Sequence, residues 1–265
     1  MEKKMDIIRC LLKIIMWFLI AEFGCNFIMQ TISYSFYKNA KKMTDISCSP
    51  QFIQFKETLT GYGNNLDSKN NNKVILFFGG SNYIAYNSVG KYSTKFDYPF
   101  ISVDYYGTQA SSGKMNLKTM KQSAEDLYEW TRNHYPDSEI IIIGHSYGAG
   151  MATYLASVRE CHSLFIVAGY RDISDLYNKI IPIFWGPLKV FISNNIRTAE
   201  YAENVECPVY IIGSSGDKVL SFSLQEKLSC SFKNPKIKIF DNIAHEDYFF
   251  SDNVIDYINQ VTHSK

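Results

Sequence analysis

The sequence contains a series of short apolar runs, and this series limits the possible folds more than any other feature. The runs lie at residues 73–78, 100–104, 139–144, 163–169, 209–213 and 236–240. Apart from the run at 236–240, they lack the alternation of apolar and polar residues found in half-exposed strands, so they predict strands buried on both faces of a parallel sheet. The intervening and final segments at 117–134, 147–158 and 254–261 have the composition and spacing of helices. The sequence therefore predicts an α/β fold, with a mostly parallel central sheet and helices on both faces.

Residues just after the strands are the first candidates for a functional site, because ligands of such sheets bind beyond the carboxyl ends of the strands. One predicted strand runs into Gly144-His145-Ser146-Tyr147-Gly148, and a helix of small residues follows. This setting is typical of a nucleophile elbow, in which a tight turn exposes the serine hydroxyl. We expect glycine at both ends of the motif because a Cβ there would clash with neighbouring backbone. The alternative is a glycine-rich turn with a passive serine.

A catalytic serine needs a base, and the base needs an acid that orients it. In this type of elbow the chain order is serine, then aspartate or glutamate, then histidine. His245 follows the last predicted strand and Asp217 the strand before it, so both are expected at the sheet edge that carries Ser146. A turn-forming role is the alternative for Asp217, with Asp172 and Asp175 as fallback acids. The histidines not favoured as the base are His134, His145, His162 and His263.

An acyl-transfer site also needs N–H donors for the oxyanion. We expect one from the backbone of Tyr147, directly after the nucleophile, and one from Ser81, in the loop after the first buried strand. Gly79 and Gly80 would let that loop approach the serine closely. A plain glycine turn is the alternative for this loop.

Together these motifs resemble those of the α/β-hydrolase superfamily, and in particular those of small membrane-tethered α/β-hydrolase-domain serine hydrolases. The resemblance begins at about residue 73 and continues to the C-terminus. Besides GxSxG, it rests on a "PVxxxxGxxD" pattern that ends at Asp217 and on an "HxD" pattern that begins at His245. It implies an α/β-hydrolase fold, a Ser146–Asp217–His245 triad and a small helical cap at 170–205.

The chain departs from this family pattern at two positions. Gly79 stands where the family often has the histidine of "HGN", and Tyr106 stands where it often has the arginine of "DYRGYG". The three triad residues are present, so the resemblance implies an active enzyme and leaves the substrate class open.

The cap-like segment carries a set of apolar side chains that permits two interpretations. They either pack onto the sheet or form a pocket for an acyl chain near Ser146. A pocket of this kind, on a chain attached to a membrane, would suit lipid esters or lipidated substrates. The residues are Tyr177, Ile181, Phe184, Trp185, Leu188 and Phe191.

The N-terminus contains an unbroken apolar run at 14–21, preceded by Lys3, Lys4, Arg9 and Lys13. This pattern is typical of a signal peptide or a signal anchor, and the alternatives are an interfacial helix or an ordinary core helix. We expect a membrane-associated chain with a single N-terminal anchor, or a secreted or periplasmic chain after cleavage. The expected organisation is an N-terminal helix at 1–30, a connector with a first sheet-edge segment at 31–72 and a catalytic domain at 73–265.

Composition excludes some classes of function. The formal net charge is +1, so binding of nucleic acid has no electrostatic basis. The six cysteines form neither a CxxC pair nor a zinc-like pattern with histidine, and no metal or organic cofactor is implied. The sequence therefore predicts a serine hydrolase that acts through an acyl-enzyme on carboxylic esters or thioesters, with a small-molecule or lipid-like acyl substrate. The alternatives are a serine peptidase or acyltransferase with the same triad, and a catalytically inactive membrane-tethered binding module.

Overall fold

A computed structural model describes residues 2–81, 84–179, 182–192 and 194–263. Its centre is an eight-stranded sheet in the order β1-β2-β4-β3-β5-β6-β7-β8. The pairs β1–β2 and β2–β4 are antiparallel, and all other neighbours are parallel, which confirms the predicted mostly parallel sheet. The strands are β1 (Gln51–Lys56), β2 (Leu59–Asn64), β3 (Lys73–Phe78), β4 (Phe100–Val103), β5 (Glu139–His145), β6 (Ser163–Val167), β7 (Val209–Ser214) and β8 (Lys236–Phe240).

Burial explains why the central strands lack alternation, and burial alternates only along the edge strand β1. Successive side chains of a strand point to opposite faces, and residues 140–143 of β5 are all fully buried, so both faces of the sheet are covered there. In β1, Ile53 and Phe55 are buried whereas Phe52 and Gln54 are exposed. Strand β1 therefore forms an edge that is covered on one face, whereas β2 is buried from Leu59 to Gly63. The sequence analysis did not identify β1 and β2 as separate strands. Both lie within residues 31–72, for which it predicts a connector and a first sheet-edge segment.

Eight helices occur in the described residues. Helix α3 begins where the sequence predicts it, because Asn116 and Thr119 form a reciprocal capping box: each side chain accepts from the other residue's backbone N–H. The helices are α1 (Glu2–Asn39), α2 (Ala85–Tyr92), α3 (Leu117–His134), α4 (Gly148–Val158), α5 (Ile173–Tyr177), α6 (Thr198–Ala202), α7 (Phe222–Ser229) and α8 (Asp252–His263).

Helix α1 is continuous to Asn39, so it does not end at residue 30 as predicted. Consecutive apolar residues at 14–18 are all exposed, which leaves every side of the helix uncovered in that part. The last part of α1 enters the core, where Met29 and Tyr37 are buried. Among the described residues, no helix combines the length and the apolar character that a membrane crossing requires.

The segment that follows α1 is fastened beside α2. The backbone N–H of Met43 donates to Oδ1 of Asn87 at 2.9 Å, and Nδ2 of Asn87 donates to the carbonyl of Lys41 at 2.9 Å. Lys42 Nζ donates to the hydroxyl of Tyr62 in β2 at 2.7 Å. These bonds hold Met43 at the wall of the cavity described below.

The chain between β6 and β7 forms the small cap, with α5, a 3₁₀ turn at Gly186–Phe191 and α6. Asn178 fixes its middle, since its side chain accepts from the N–H of Phe184 at 2.9 Å and donates to the carbonyl of Phe184 at 3.0 Å. These elements lie within residues 170–205, the segment for which the sequence analysis predicts a cap.

Candidate active site

Ser146 occupies a strained turn between β5 and α4. Its φ is +51°, in the left-handed region that costs a non-glycine residue about 1–3 kcal/mol. The two glycines of the motif permit this turn, because a Cβ on Gly148 would lie 2.3 Å from the carbonyl oxygen of Phe78, and one on Gly144 would lie 2.5 Å from the Cβ of Ala152. The strand therefore ends in a turn that holds the serine hydroxyl away from the backbone.

The structure brings Ser146, His245 and Asp217 together in one hydrogen-bonded chain. Nε2 of His245 lies 2.8 Å from Oγ of Ser146, and Nδ1 lies 2.8 Å from Oδ2 of Asp217. An ionised carboxylate only accepts hydrogen bonds, so Nδ1–H donates to Asp217 and Nε2 is left to accept from the serine hydroxyl. All three residues are buried. They follow β5, β8 and β7, whose carboxyl ends lie at one edge of the sheet.

Asp217 is stabilised as a carboxylate by several donors. The N–H groups of Val219 and Leu220 donate to Oδ1 at 2.9 and 2.8 Å, and the hydroxyl of Tyr248 donates to Oδ2 at 3.1 Å. Burial alone would raise the pKa of this carboxyl, but the hydrogen bond and charge of His245 and the two backbone donors outweigh burial, so the pKa lies below its ordinary value. The acid therefore stays ionised at neutral pH.

His145 contacts and supports the loop that carries His245. Its Nε2 lies 3.1 Å from the backbone carbonyl of His245 and donates to it. Its ring lies 5.2 Å from that of His245, and it also packs against Tyr248 and Phe249. Burial, together with the neighbouring His245, lowers the pKa of His145 to about 3, so its ring is neutral. The sequence argument dismissed His145 as a base and missed this supporting role.

The two predicted oxyanion donors lie beside the serine. Tyr147 directly precedes α4, and its carbonyl accepts from the hydroxyl of Tyr170 at 3.0 Å. A Cβ on Gly80 would lie 3.1 Å from the Cβ and 3.5 Å from the Oγ of Ser146, so this loop runs against the serine. Ser81, the next residue, lines the cavity in front of the serine.

That cavity has a volume of about 520 Å³ and is bounded by Ser146 and His245. The lysines Lys91 and Lys179 and the carboxylate of Glu246 also border it. In the described residues, neither lysine makes an ion pair within 4.0 Å. The apolar part of its wall is formed by Met43, Ile84, Tyr92, Leu176, Val219 and Leu220.

The predicted acyl pocket is wrong in its choice of residues. Tyr177 and Phe184 are buried core residues whose rings pack at 5.8 Å, while Trp185 is 59% exposed and Leu188 is half-buried. None of these four lines the cavity, and Ile181 lies outside the described residues. The cap contributes Leu176 and Lys179 instead, one residue before and two after Tyr177.

The two fallback acids, Asp172 and Asp175, form their bonds with groups outside the candidate site. Asp172 caps α5 by accepting from the N–H of Ser174 at 2.9 Å, and Asp175 forms an ion pair with Arg171 at 2.9 Å. Across the residues that the structure describes, no group of three or more side chains has the composition of a metal site.

Comparison with known proteins finds a matching family model, curated relatives and solved structures with a similar fold. A family model described as "alpha/beta hydrolase fold" matches residues 74–186. Lysophosphatidylserine lipase ABHD12 of Danio rerio is 29% identical over 148 residues, which cover 49% of this chain and 38% of that protein. The Mus musculus protein of the same name is 26% identical over 164 residues, which cover 53% and 41%. The chain thus matches less than half the length of these curated relatives.

Solved structures share the fold at low sequence identity. An esterase of Pyrococcus furiosus, Pf2001, superposes with a TM-score of 0.60 at 16% identity and covers 84% of this chain and 94% of its own. Est1E of Butyrivibrio proteoclasticus with bound ferulic acid gives a TM-score of 0.59 at 13% identity, covering 80% and 95%. Identities this low establish the fold alone.

Proposed function

We propose that this chain, which belongs to the α/β-hydrolase superfamily, is a serine hydrolase that cleaves carboxylic esters or thioesters through an acyl-enzyme. The observation that carries the proposal is the hydrogen-bonded chain from Asp217 through His245 to Ser146, with 2.8 Å at each step involving His245, at the wall of an open cavity. A serine without an activating base is a weak nucleophile, and this arrangement supplies both the base and its orienting acid.

The reaction follows from the roles of these groups. Oγ of Ser146 attacks the acyl carbon while Nε2 of His245 takes its proton, and Asp217 stabilises the imidazolium that forms. The N–H groups of Tyr147 and Ser81 stabilise the oxyanion of the tetrahedral intermediate. His245 returns the proton to the leaving alcohol or thiol, and then acts as the base for the water that releases the acid.

The substrate we propose is a lipid-like ester with one apolar chain and an anionic group. The cavity is in the size range of small-molecule sites, and the apolar residues named above give its wall a surface on which an acyl chain can pack. Lys91 and Lys179 supply positive charge at its border, against one carboxylate from Glu246. The similarity to lysophosphatidylserine lipases, whose named substrate carries an acyl ester and anionic groups, supports the same class.

We also propose that the exposed first part of α1 lies in a lipid surface. Consecutive apolar side chains are uncovered there, including Trp17 at 66% exposure, and Lys3, Lys4 and Lys13 add positive charge that complements anionic headgroups. The chain would then act on ester substrates at the membrane to which it binds.

Fluorophosphonate labelling followed by intact mass measurement tests the catalytic proposal. We expect the wild type to gain one probe. Ser146→Ala should gain none, because it lacks the nucleophile, and His245→Ala should react at least about 10³-fold more slowly, because its serine lacks the base. Ser81→Ala, which keeps its backbone N–H, is the matched control and should label normally. A folded wild type that stays unlabelled would favour a binding module over an enzyme.

A further inference from the structure

Two cysteines outside the active site lie unusually close together. The Sγ atoms of Cys161 and Cys207 are 2.7 Å apart, which is about 0.65 Å longer than a disulfide bond. Both side chains are half-buried thiols in this structure. Cys48, also half-buried, has a hydroxyl rather than a thiol beside it, since its Sγ lies 3.3 Å from Oγ of Ser93. Cys161 and Cys207 therefore each have a thiol as neighbour, whereas the neighbour of Cys48 is a hydroxyl.

The backbone around this pair is already fixed for a covalent bond. Cys161 comes just before β6 and Cys207 just before β7, and these strands are parallel neighbours. The N–H of His162 donates to Ile140 at 2.7 Å, and the N–H of Leu164 donates to Pro208 at 2.9 Å. Adjacent strands are about 4.8 Å apart, within the range of Cα separations that disulfides bridge. The two sulfurs can therefore bond without a rearrangement of the main chain.

We propose that Cys161 and Cys207 are a disulfide-forming pair that, when oxidised, closes the loop containing β6 and the cap. The two residues are 46 positions apart, and the chain between them contains β6, α5, the 3₁₀ turn and α6. A bond at this point would join the starts of β6 and β7, at the sheet edge opposite to the one that carries Ser146. It would restrict the unfolded cap more than the folded one, which is how a disulfide stabilises a loop of this length.

The two thiols differ in acidity, and this difference sets which of them reacts first. The Cys161 thiol donates to the Cys207 sulfur, which lowers the pKa of Cys207 and raises that of Cys161. Cys207 is therefore the first nucleophile. Its thiolate attacks one sulfur of oxidised glutathione and displaces one glutathione thiolate. Cys161 then loses its proton and attacks the Cys207 sulfur of the mixed disulfide, which releases the second glutathione. Two thiols are oxidised and one glutathione disulfide is reduced to two thiols.

Access to the pair comes from a surface groove. Both cysteines line a cavity of about 610 Å³ together with Arg159, Asn204 and Glu206. This groove gives a small disulfide such as oxidised glutathione a path to Cys207 without opening of the core.

Mass spectrometry of the full chain tests the bond directly. The folded protein is incubated with oxidised glutathione, quenched in acid, unfolded and alkylated with N-ethylmaleimide. We expect four alkyl groups on the wild type instead of six, and a peptide map that joins Cys161 to Cys207. The matched control Cys48→Ser should keep the link and take up three alkyl groups, whereas Cys161→Ser should lose the link. Six alkyl groups on oxidised, folded wild type, or a link between other cysteines, would overturn the proposal.

Thermal unfolding tests the closure of the cap. Oxidation should raise the Tm of the wild type and of Cys48→Ser by roughly 5–10 °C, and should leave Cys161→Ser and Cys207→Ser unchanged. A linked protein with an unchanged Tm would refute the stabilising closure. Fluorophosphonate labelling of Ser146 should persist in the oxidised protein, because the pair lies at the other edge of the sheet, so this outcome is independent of the proposed hydrolase activity.

Discussion

The hydroxyl of Tyr248 donates to Oδ2 of Asp217, the same oxygen that accepts the hydrogen bond from Nδ1–H of His245. Removing this hydroxyl in Tyr248→Phe should leave the carboxylate less firmly placed and the imidazolium less stabilised. We expect kcat to fall about 3- to 30-fold with little change in KM, as for the loss of a hydrogen bond to a charged group in the transition state. Steady-state hydrolysis of a p-nitrophenyl ester measures both constants.

Tyr210→Phe provides the comparison for that experiment, because Tyr210 is a half-buried tyrosine of β7 that packs on Phe165 at 5.0 Å. It should hydrolyse the ester at the wild-type rate. Equal kcat values for Tyr248→Phe and Tyr210→Phe would show that the hydroxyl on Asp217 has no part in positioning the acid.

His145 should make the fold sensitive to acid. Its pKa is about 3 in the folded chain and about 6.5 when unfolded, so the unfolded state binds the extra proton between these values. Stability from this group is therefore complete above pH 6.5 and is lost as pH falls toward 3, by up to about 1.4 kcal/mol per pH unit.

We expect His145→Gln, which keeps an N–H donor but does not titrate, to have a shallower fall of Tm between pH 7 and pH 5 than the wild type. Differential scanning fluorimetry across this range gives the two slopes. Parallel slopes would contradict the assignment of a neutral, buried ring at this position.

Sequence reasoning found the three principal side chains of the candidate site because each follows a strand that its composition reveals. Ser146, Asp217 and His245 come after β5, β7 and β8, and parallel strands bring their carboxyl ends to one edge. The support from His145 and Tyr248 was missed, because it depends on the direction of side chains within two turns. No spacing rule encodes that direction.

At the scale of helices, the first part of α1 is exposed and its last part enters the core. Residues 3–18 are exposed, while Met29 and Tyr37 are in the core, where the ring of Tyr37 meets Tyr105 at 5.9 Å and Tyr147 at 5.7 Å. A chain that begins at Ala21 should therefore fold and lose binding to phosphatidylcholine–phosphatidylserine vesicles. A chain that begins at Lys38 should lose roughly 5 kcal/mol or more of stability, because two large core side chains are missing.

Vesicle flotation and thermal unfolding by circular dichroism measure these two effects separately. Phe52→Ser in the full chain, which removes an exposed apolar side chain from β1, should float as the wild type does. Equal flotation of the full chain and the chain from Ala21 would refute the lipid-binding role. Equal melting of the chains from Ala21 and Lys38 would refute the core role of the later part of α1.

The two halves of α1 also explain where prediction at this scale fails. The apolar run at 14–21 is visible in the sequence, but the burial of Tyr37 depends on rings that are distant along the chain. The cap fails for a related reason: Leu176 and Tyr177 differ by about 100° around a helix. Only the placement of α5 on the sheet decides that the first lines the cavity and the second joins the core. By contrast, α3 was predicted at both ends, because its capping residues are local.

At the scale of the whole molecule, the cavity is assembled from segments that lie far apart in sequence. Met43 follows α1, Lys91 comes from α2, Lys179 from the cap, and His245 from the loop after β8. The two lysines should therefore act on substrate charge rather than on the chemistry. In Lys91→Gln/Lys179→Gln we expect kcat/KM for an anionic monoacyl glycerophospholipid to fall about 3- to 10-fold, as for one half-buried and one exposed charge, with a neutral monoacylglycerol unaffected.

Hydrolysis of the two lipids in the same detergent micelles makes this comparison. Lys233→Gln removes an exposed lysine that does not border the cavity and should change neither rate. An equal loss on both lipids would mean that the lysines maintain the cavity rather than select its ligand.

The contact of Tyr37 with Tyr147 ties the direction of α1 to that of the active-site mouth. A helix rises about 1.5 Å per residue, so Phe18 and Tyr37 are roughly 28 Å apart along its axis. If the exposed end of α1 lies in a lipid layer, as proposed, the tilt of the helix sets how far the opening of the active site lies from that layer. An upright α1 would lift the mouth into the aqueous phase, where it receives dispersed monomers. A flat one would bring it to the headgroups, where it extracts substrate directly from the leaflet. One angle would thus decide whether turnover follows the bulk concentration of the ester or its mole fraction in the membrane.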